Sequence, residues 1–308
     1  MSTDGVKRGM TRYEWALLVA LSVLWGGTFF FQEIAVREVP TFTIVAFRVA
    51  IAASILIAVM IVTGSRLPRT RAVWSSLLCL SVINNIIPFC LIVWGQTQIA
   101  SGVAAILNAT TPMFAVLVAH FATTDEKING PKLIGIFASF SGVVLMIGGD
   151  ALAGFEIAIL GQLAVVTAAC SYALGGIYGR RFQKMGMSPL ATSTGQLIVS
   201  TIILIPIALL IDEPWTLPVP GIDTVLAIVA LAALSTSLAY VIFFRILATA
   251  GATNLMLVTF LIPVSALTLG IFILDETLLL RHAGGLVCIG VGLAAIDGRL
   301  LRRGRQDN

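Results

Sequence analysis

A few side chains in this sequence are of types that a hydrocarbon-rich chain rarely keeps without a use. Arg48 stands alone among apolar neighbours in "TFTIVAFRVAIAASILIAVMIV". An arginine at mid-helix in a bilayer costs about 2.5–3.5 kcal/mol on insertion scales, so it must face protein or a wet cavity. One reading is capture of an anionic group such as a substrate carboxylate. The other is structural, an ion pair with Glu33 or a cap on neighbouring helix ends. Around it in depth lie Trp25, Thr28, Asn84, Asn85, Asn108, Tyr172, Gln196, Ser237 and Tyr240. Amides and hydroxyls can hold an ammonium and a carboxylate, and aromatic faces can receive an apolar or cationic group. Each of these residues also has a plain alternative use in interhelical hydrogen bonding or interfacial anchoring.

Catalytic chemistry finds no such support. His120 and His282 fall near opposite ends of their segments, with no ligand cluster beside either, so no metal is expected. Cys79, Cys90, Cys170 and Cys288 share no CxxC spacing and read as small buried residues. There is no GxSxG, no HExxH and no phosphate-cradling loop for ATP. No cofactor is expected. Glu33 is four residues before Arg37, a spacing that suits a surface ion pair. No Asp or Glu falls at mid-depth in any apolar run, so proton coupling through a carboxylate has no evident carrier, and exchange or facilitated diffusion stays open.

The elements that must position these residues follow from composition. Of the 308 residues 58% are hydrophobic and only 11% are charged, and the mean hydropathy is +1.01. A soluble domain carries about 25% charged residues, so this chain cannot cover a water-facing exterior and belongs in a lipid bilayer. Apolar runs of helix length cover 14–34, 42–62, 73–96, 102–123, 131–149, 157–179, 189–211, 222–244, 253–274 and 279–297. Each is near the roughly 20 residues a spanning helix needs. The first is longer than a signal-peptide core, and no small-residue cleavage site follows it. Apart from Arg37, Arg48 and Arg281, the 19 Lys and Arg residues fall on one side of this plan. The positive-inside rule then places both termini in the cytoplasm. The same dispersed cations explain the basic isoelectric point without nucleic acid as a partner.

The two halves resemble each other. Gly26-Gly27, Pro40, Pro112 and Asp125-Glu126 recur about 150 residues later as Gly175-Gly176, Pro189, Pro263 and Asp275-Glu276. Gly135, Gly142 and Gly148 recur as Gly285, Gly292 and Gly298. The expected domains are therefore 1–150 and 151–308. Five spans is an odd number, so the second copy must enter the membrane from the opposite side. That is the plan of secondary transporters with inverted repeats, whose substrate site lies between the halves near the midplane. The expected fold is an all-α integral membrane protein: ten transmembrane helices as two inverted five-helix repeats around a central cavity. Pro88, Pro112 and Pro263 are expected to kink helices around that cavity, where freed carbonyls can find partners. The spaced glycines suit close helix packing, structural or dimer-forming; the oligomeric state is not legible.

On the segments "LSVLWGGTFF", "TFTIVAFRVA", "NATTPMFAVLVAH" and "FLIPVSALTLGIFILDETL", the chain resembles the EamA-type branch of the drug/metabolite transporter superfamily. The resemblance covers nearly the whole chain. It implies a carrier of the bacterial inner membrane that exports small metabolites, with amino acids, the aromatic ones included, as the nearest substrate class. Export of drugs or other cationic compounds is the alternative, and an intramembrane enzyme a more remote one. The implied partners are a small-molecule substrate and the lipid bilayer.

Overall fold

In a computed structural model, the structure describes residues 10–67, 70–123, 127–147 and 157–297, and every described element is a helix. Nine helices are long and apolar enough to cross a membrane among the described residues. These are α1 (Arg12–Ala35), α2 (Thr41–Val62), α3 (Arg71–Gln96), α4 (Ser101–Ala122), α5 (Gly130–Ile147), α6 (Ile157–Lys184), α7 (Pro189–Ile211), α8 (Ile222–Thr249) and α10 (Leu280–Asp297). The remaining apolar helix, α9 (Val258–Ile273), is shorter. One uninterrupted span is expected over 253–274. Instead a single helical turn, Gly251–Leu255, precedes α9, and the chain breaks at Met256 and Leu257. Asn254 donates its side-chain amide to the Ala250 carbonyl at 2.9 Å, across that single turn.

Local chemistry sets several ends. Thr11 and Glu14 cap α1 reciprocally: the Thr11 hydroxyl accepts from the Glu14 N–H, and the Glu14 carboxylate accepts from the Thr11 N–H. The exterior of the bundle is apolar, with Ile61, Ile134, Phe137, Ile202 and Phe272 all exposed. Such a surface is stable against hydrocarbon and not against water.

The two halves pack alike. α1 lies against α8 and α9, and five places on, α6 lies against α3 and α4. α2 packs on α7 and α5 on α10, each helix meeting its own repeat mate. These matched helices run antiparallel. Thr43, near the start of α2, donates its N–H to Asp212 just past the end of α7, at 2.7 Å. In the other pair, a methyl added at Gly142 would come within 2.8 Å of the Gly285 carbonyl, and one at Gly135 within 2.5 Å of the Gly292 carbonyl. The spaced glycines are therefore consumed inside one chain, joining α5 to α10 with backbones in contact. Gly148, Gly298 and Asp125-Glu126, part of the expected repeat, lie outside the described residues.

Candidate functional site

The centre of the bundle is the crossing of α2 with α8 beside α3. Arg48 on α2 is buried, 5% exposed. Its Nε donates to the Thr236 hydroxyl at 3.0 Å, and its guanidinium carbon lies 3.8 Å from the centroid of the Phe89 ring. Tyr172 and Tyr240 are within electrostatic reach, and the Tyr172 ring meets Phe89 edge-on at 6.3 Å. Among the described residues no carboxylate pairs with Arg48. The ion pair with Glu33 contemplated from sequence is absent. With Nε engaged and a ring beneath it, the planar fork retains two terminal amino groups, the geometry that takes a carboxylate in two parallel hydrogen bonds.

The helices that hold this arrangement are locally π-helical at corresponding places, Val82–Ile86 in α3 and Ala233–Leu238 in α8. A π turn widens the helix by one residue and re-aims the side chains on it. In α3 the turn accommodates Pro88. In π register the Ile83 carbonyl should receive the N–H of residue 88, which proline lacks. The Ser171 hydroxyl from α6 supplies it instead, at 2.6 Å. In α8 no proline is present. There the hydroxyls of Thr236 and Ser237 donate to the carbonyls five residues back, Leu231 and Ala232, each at 3.0 Å. Thr236 thus spends its proton on the backbone and its lone pair on Arg48.

On the α3 turn, Asn84 donates to the Gln196 side chain at 3.2 Å and Asn85 to the Ser200 hydroxyl at 3.1 Å, both on α7. Asn85 is fully buried, and its Oδ1 has no partner. Gly175 makes room for Asn84, since a methyl there would sit 2.6 Å from its Oδ1. Ser237 also reaches the Ala52 carbonyl of α2 at 3.4 Å. The structure therefore gathers Arg48, Tyr172 and Tyr240 at one crossing, and Asn84, Asn85 and Gln196 at the neighbouring one.

Three expected site residues lie elsewhere. Trp25 packs on Phe243 at 5.6 Å within a separate apolar cluster. Thr28 is buried in α1. Asn108 ends the first part of α4, its Oδ1 buried and unpartnered. There α4 breaks at Ala109 and Thr110, and Pro112 opens its second part. The proline leaves the Asn108 carbonyl without an N–H, and the Thr111 hydroxyl takes that role at 2.7 Å. Pro263, in contrast, lies inside the continuous α9, six residues after Leu257 at the break. The two prolines match in sequence but not in what the helix does around them.

Phe89, Thr236 and Ser200 were not singled out from sequence. Phe89 reads as one more apolar residue, although it stands about 150 positions before Tyr240, as repeat mates do. A cleft of about 630 Å³ opens at the end of the bundle carrying Arg37 and Trp94, and its lining reaches Cys90, next to Phe89. Cys90 is about 9 Å below the end of α3 at 1.5 Å per residue. The open volume is thus offset from the bundle centre toward that end, and Arg48 with its aromatic neighbours fills the middle.

Membrane-length helices in two similarly packed halves, with an unpaired guanidinium at their crossing, define a polytopic membrane protein built to handle a solute. The chain belongs to the EamA-like transporter family, whose pattern matches residues 13–148 and again 159–296; it is a membrane transporter and not an enzyme. It is 26% identical over 294 residues to a probable amino-acid metabolite efflux pump of Escherichia coli (strain K12), covering 92% of this chain and 94% of that one. It is 27% identical over 270 residues to the uncharacterized inner membrane transporter YedA of the same organism, covering 85% and 83%. A solved crystal structure shares the fold at a TM-score of 0.67 with 19% identity, covering 96% of this chain and 99% of that one.

Proposed function

We propose that this protein is a secondary transporter of the bacterial inner membrane that exports small metabolites, most directly amino acids, the aromatic ones among them, by alternating access. In this reading residues 1–150 and 151–308 are two inverted five-helix repeats, α9 completes the tenth crossing, and both termini face the cytoplasm. The antiparallel run of α2 against α7 and of α5 against α10 supports the inversion. Matched bundles that exchange roles across the membrane are the physical basis of alternating access. The cleft beside Trp94 then opens to the outside.

The observation that carries the substrate class is Arg48, buried without a carboxylate partner and stacked on Phe89. It would hold the substrate carboxylate, with Phe89, Tyr172 and Tyr240 as the surface for an apolar or aromatic side chain. Asn84, Asn85 and Gln196 lie one helix away, suited to an ammonium group. Export of cationic drugs draws support from the aromatic residues, but the unpaired guanidinium opposes a cation there.

The test is counterflow in proteoliposomes with labelled amino acids, cationic drugs and phosphorylated sugars offered in parallel. The proposal expects uptake of labelled amino acid only into vesicles preloaded with unlabelled amino acid. Exchange of the cationic drugs in place of amino acids would replace it with the drug-export reading.

A further inference from the structure

Away from the Arg48 crossing, the Trp94 end of the bundle holds a second polar group, separate from the residues proposed to hold the solute. Asp275 adopts a left-handed backbone, φ 56°, which turns the chain after α9 back over the start of α4. There the Glu276 carboxylate accepts from the N–H groups of Ser101 at 2.8 Å and Gly102 at 3.0 Å. A carboxylate on these N-terminal N–H groups is favourable. It latches α9, in the second half, to α4, in the first. Gly270 is required for the approach, because a methyl there would stand 2.5 Å from the Glu276 Oε2.

Glu33, near the end of α1, faces that latch. It is close enough to Glu276 for the two charges to interact, and its own Oε2 is buried with no hydrogen-bond partner. The neighbouring amide is Gln96, 3% exposed. Gln96 donates one Nε2 hydrogen to the Phe29 carbonyl at 2.8 Å, which orients the amide, and its side chain also hydrogen-bonds the Glu33 carboxylate. The Gln96 Oε1 is buried and unpartnered as well. The fully buried Ser101 hydroxyl beside Glu276 is a third oxygen without a partner. An ionised Glu33 would put a second negative charge beside Glu276 in a buried space, offset only in part by Arg37 and the Gln96 amide, and would leave its own Oε2 unsatisfied. One added proton reverses this, because a carboxylic acid is a donor and Gln96 Oε1 is an acceptor awaiting one.

We propose that Glu33 is a proton-binding site of this transporter, and that its proton holds the Glu276 latch shut. With the proton on Glu33, its O–H donates to Gln96 Oε1 and only Glu276 is charged, which suits the closed latch. Loss of the proton puts two negative charges in one buried space and drives Glu276 off the Ser101 and Gly102 N–H groups. The charges facing Glu33 are Glu276, from the turn after α9, and Arg37, from the turn after α1. α4 and α9, which pack on α1, carry no acidic or basic side chain on this part of it, and Asp223, Tyr240 and Arg245 on α8 do not act on Glu33. The proton simply adds to the carboxylate and leaves it; no other reactant is needed.

The test needs no transported solute and is independent of the substrate reading. Infrared difference spectra of the reconstituted full chain are recorded while the pH is raised and lowered. The expected result is a protonated-carboxyl C=O band that bleaches reversibly with base, is abolished in Glu33→Gln and is retained in Glu276→Gln. Gln96→Leu keeps Glu33 itself and should move the band to higher frequency, since the acid loses its acceptor. That arm stands even if Glu33→Gln fails to fold. Absence of the band in the wild type, its survival in Glu33→Gln, its loss in Glu276→Gln, or an unmoved band in Gln96→Leu would each overturn the assignment.

Discussion

The π turns of α3 and α8 occupy corresponding places in the two halves, yet they are built and used differently. In α3 the turn accommodates Pro88 and carries amides, Asn84 and Asn85, which are tied to Gln196 and Ser200 of α7. In α8 there is no proline, the hydroxyls of Thr236 and Ser237 stabilise the turn, and the partner helix α2 brings Arg48. The backbone device is duplicated and the chemistry is not. At the place in α7 that answers to Arg48 stands Leu197, fully buried. A repeat that kept the charge on both sides would put two unpaired cations in one low-dielectric crossing, and each would raise the cost of the other. A single cation instead gives the crossing a polarity, which in the proposed reading would orient a solute with unlike ends.

The largest effect on this contrast is expected from Arg48→Ala. Removing a charge-assisted contact worth about 1.5–3 kcal/mol lowers amino-acid counterflow roughly ten- to hundredfold, with the protein still folded in detergent. Arg48→Lys, a point charge without the fork, should recover only part of that loss. Leu197→Ala, at the mate position, should lower stability while sparing selectivity for the carboxylate. Equal losses of selectivity at both positions would break the comparison.

Next in size is Thr236→Val. It leaves Arg48 Nε without its acceptor at nearly constant volume, a change of about 1–3 kcal/mol, and should weaken counterflow more than it lowers the melting temperature. Ser200→Ala, the opposite crossing, should do the reverse, because Asn85 then loses a structural partner. Smallest is Pro88→Ala. Since α8 holds its π turn without proline, α3 should keep its own, with unfolding shifted by less than about 1 kcal/mol in thermal melts. A large shift would mean that proline, and not side-chain bonding, sustains the turn.

Much of this architecture is legible in hydropathy because the hydrocarbon requirement is strict. The run expected over 42–62 is observed as Thr41–Val62, and 189–211 as Pro189–Ile211. The runs read as 157–179 and 222–244 end too early, against Ile157–Lys184 and Ile222–Thr249. The added segments hold Arg180, Arg181, Lys184 and Arg245, whose charged heads lower the hydropathy while the helix continues. The break before α9 follows Gly251, Thr253 and Asn254, weak cues within a run whose mean polarity still reads as one span. The π turns are hidden for the same reason, with only Pro88 as a cue. At the site, Arg48 stands out because a lone charge in lipid needs a reason. Its platform Phe89 does not, because phenylalanine in such a run has one already. Glu33, read as the partner of Arg37, gains its interest only when Gln96 and Glu276 are seen around it, and those contacts cross 63 or more residues of chain.

The most direct test of the central claim compares labelled phenylalanine with phenethylamine, which keeps the ring and the ammonium and lacks the carboxylate. Both are measured for counterflow in the wild type and in Arg48→Ala. If Arg48 captures the carboxylate, the wild type carries phenylalanine and rejects the amine, and Arg48→Ala loses that preference. Equal handling of the two by the wild type, or an unchanged preference in Arg48→Ala, would contradict it.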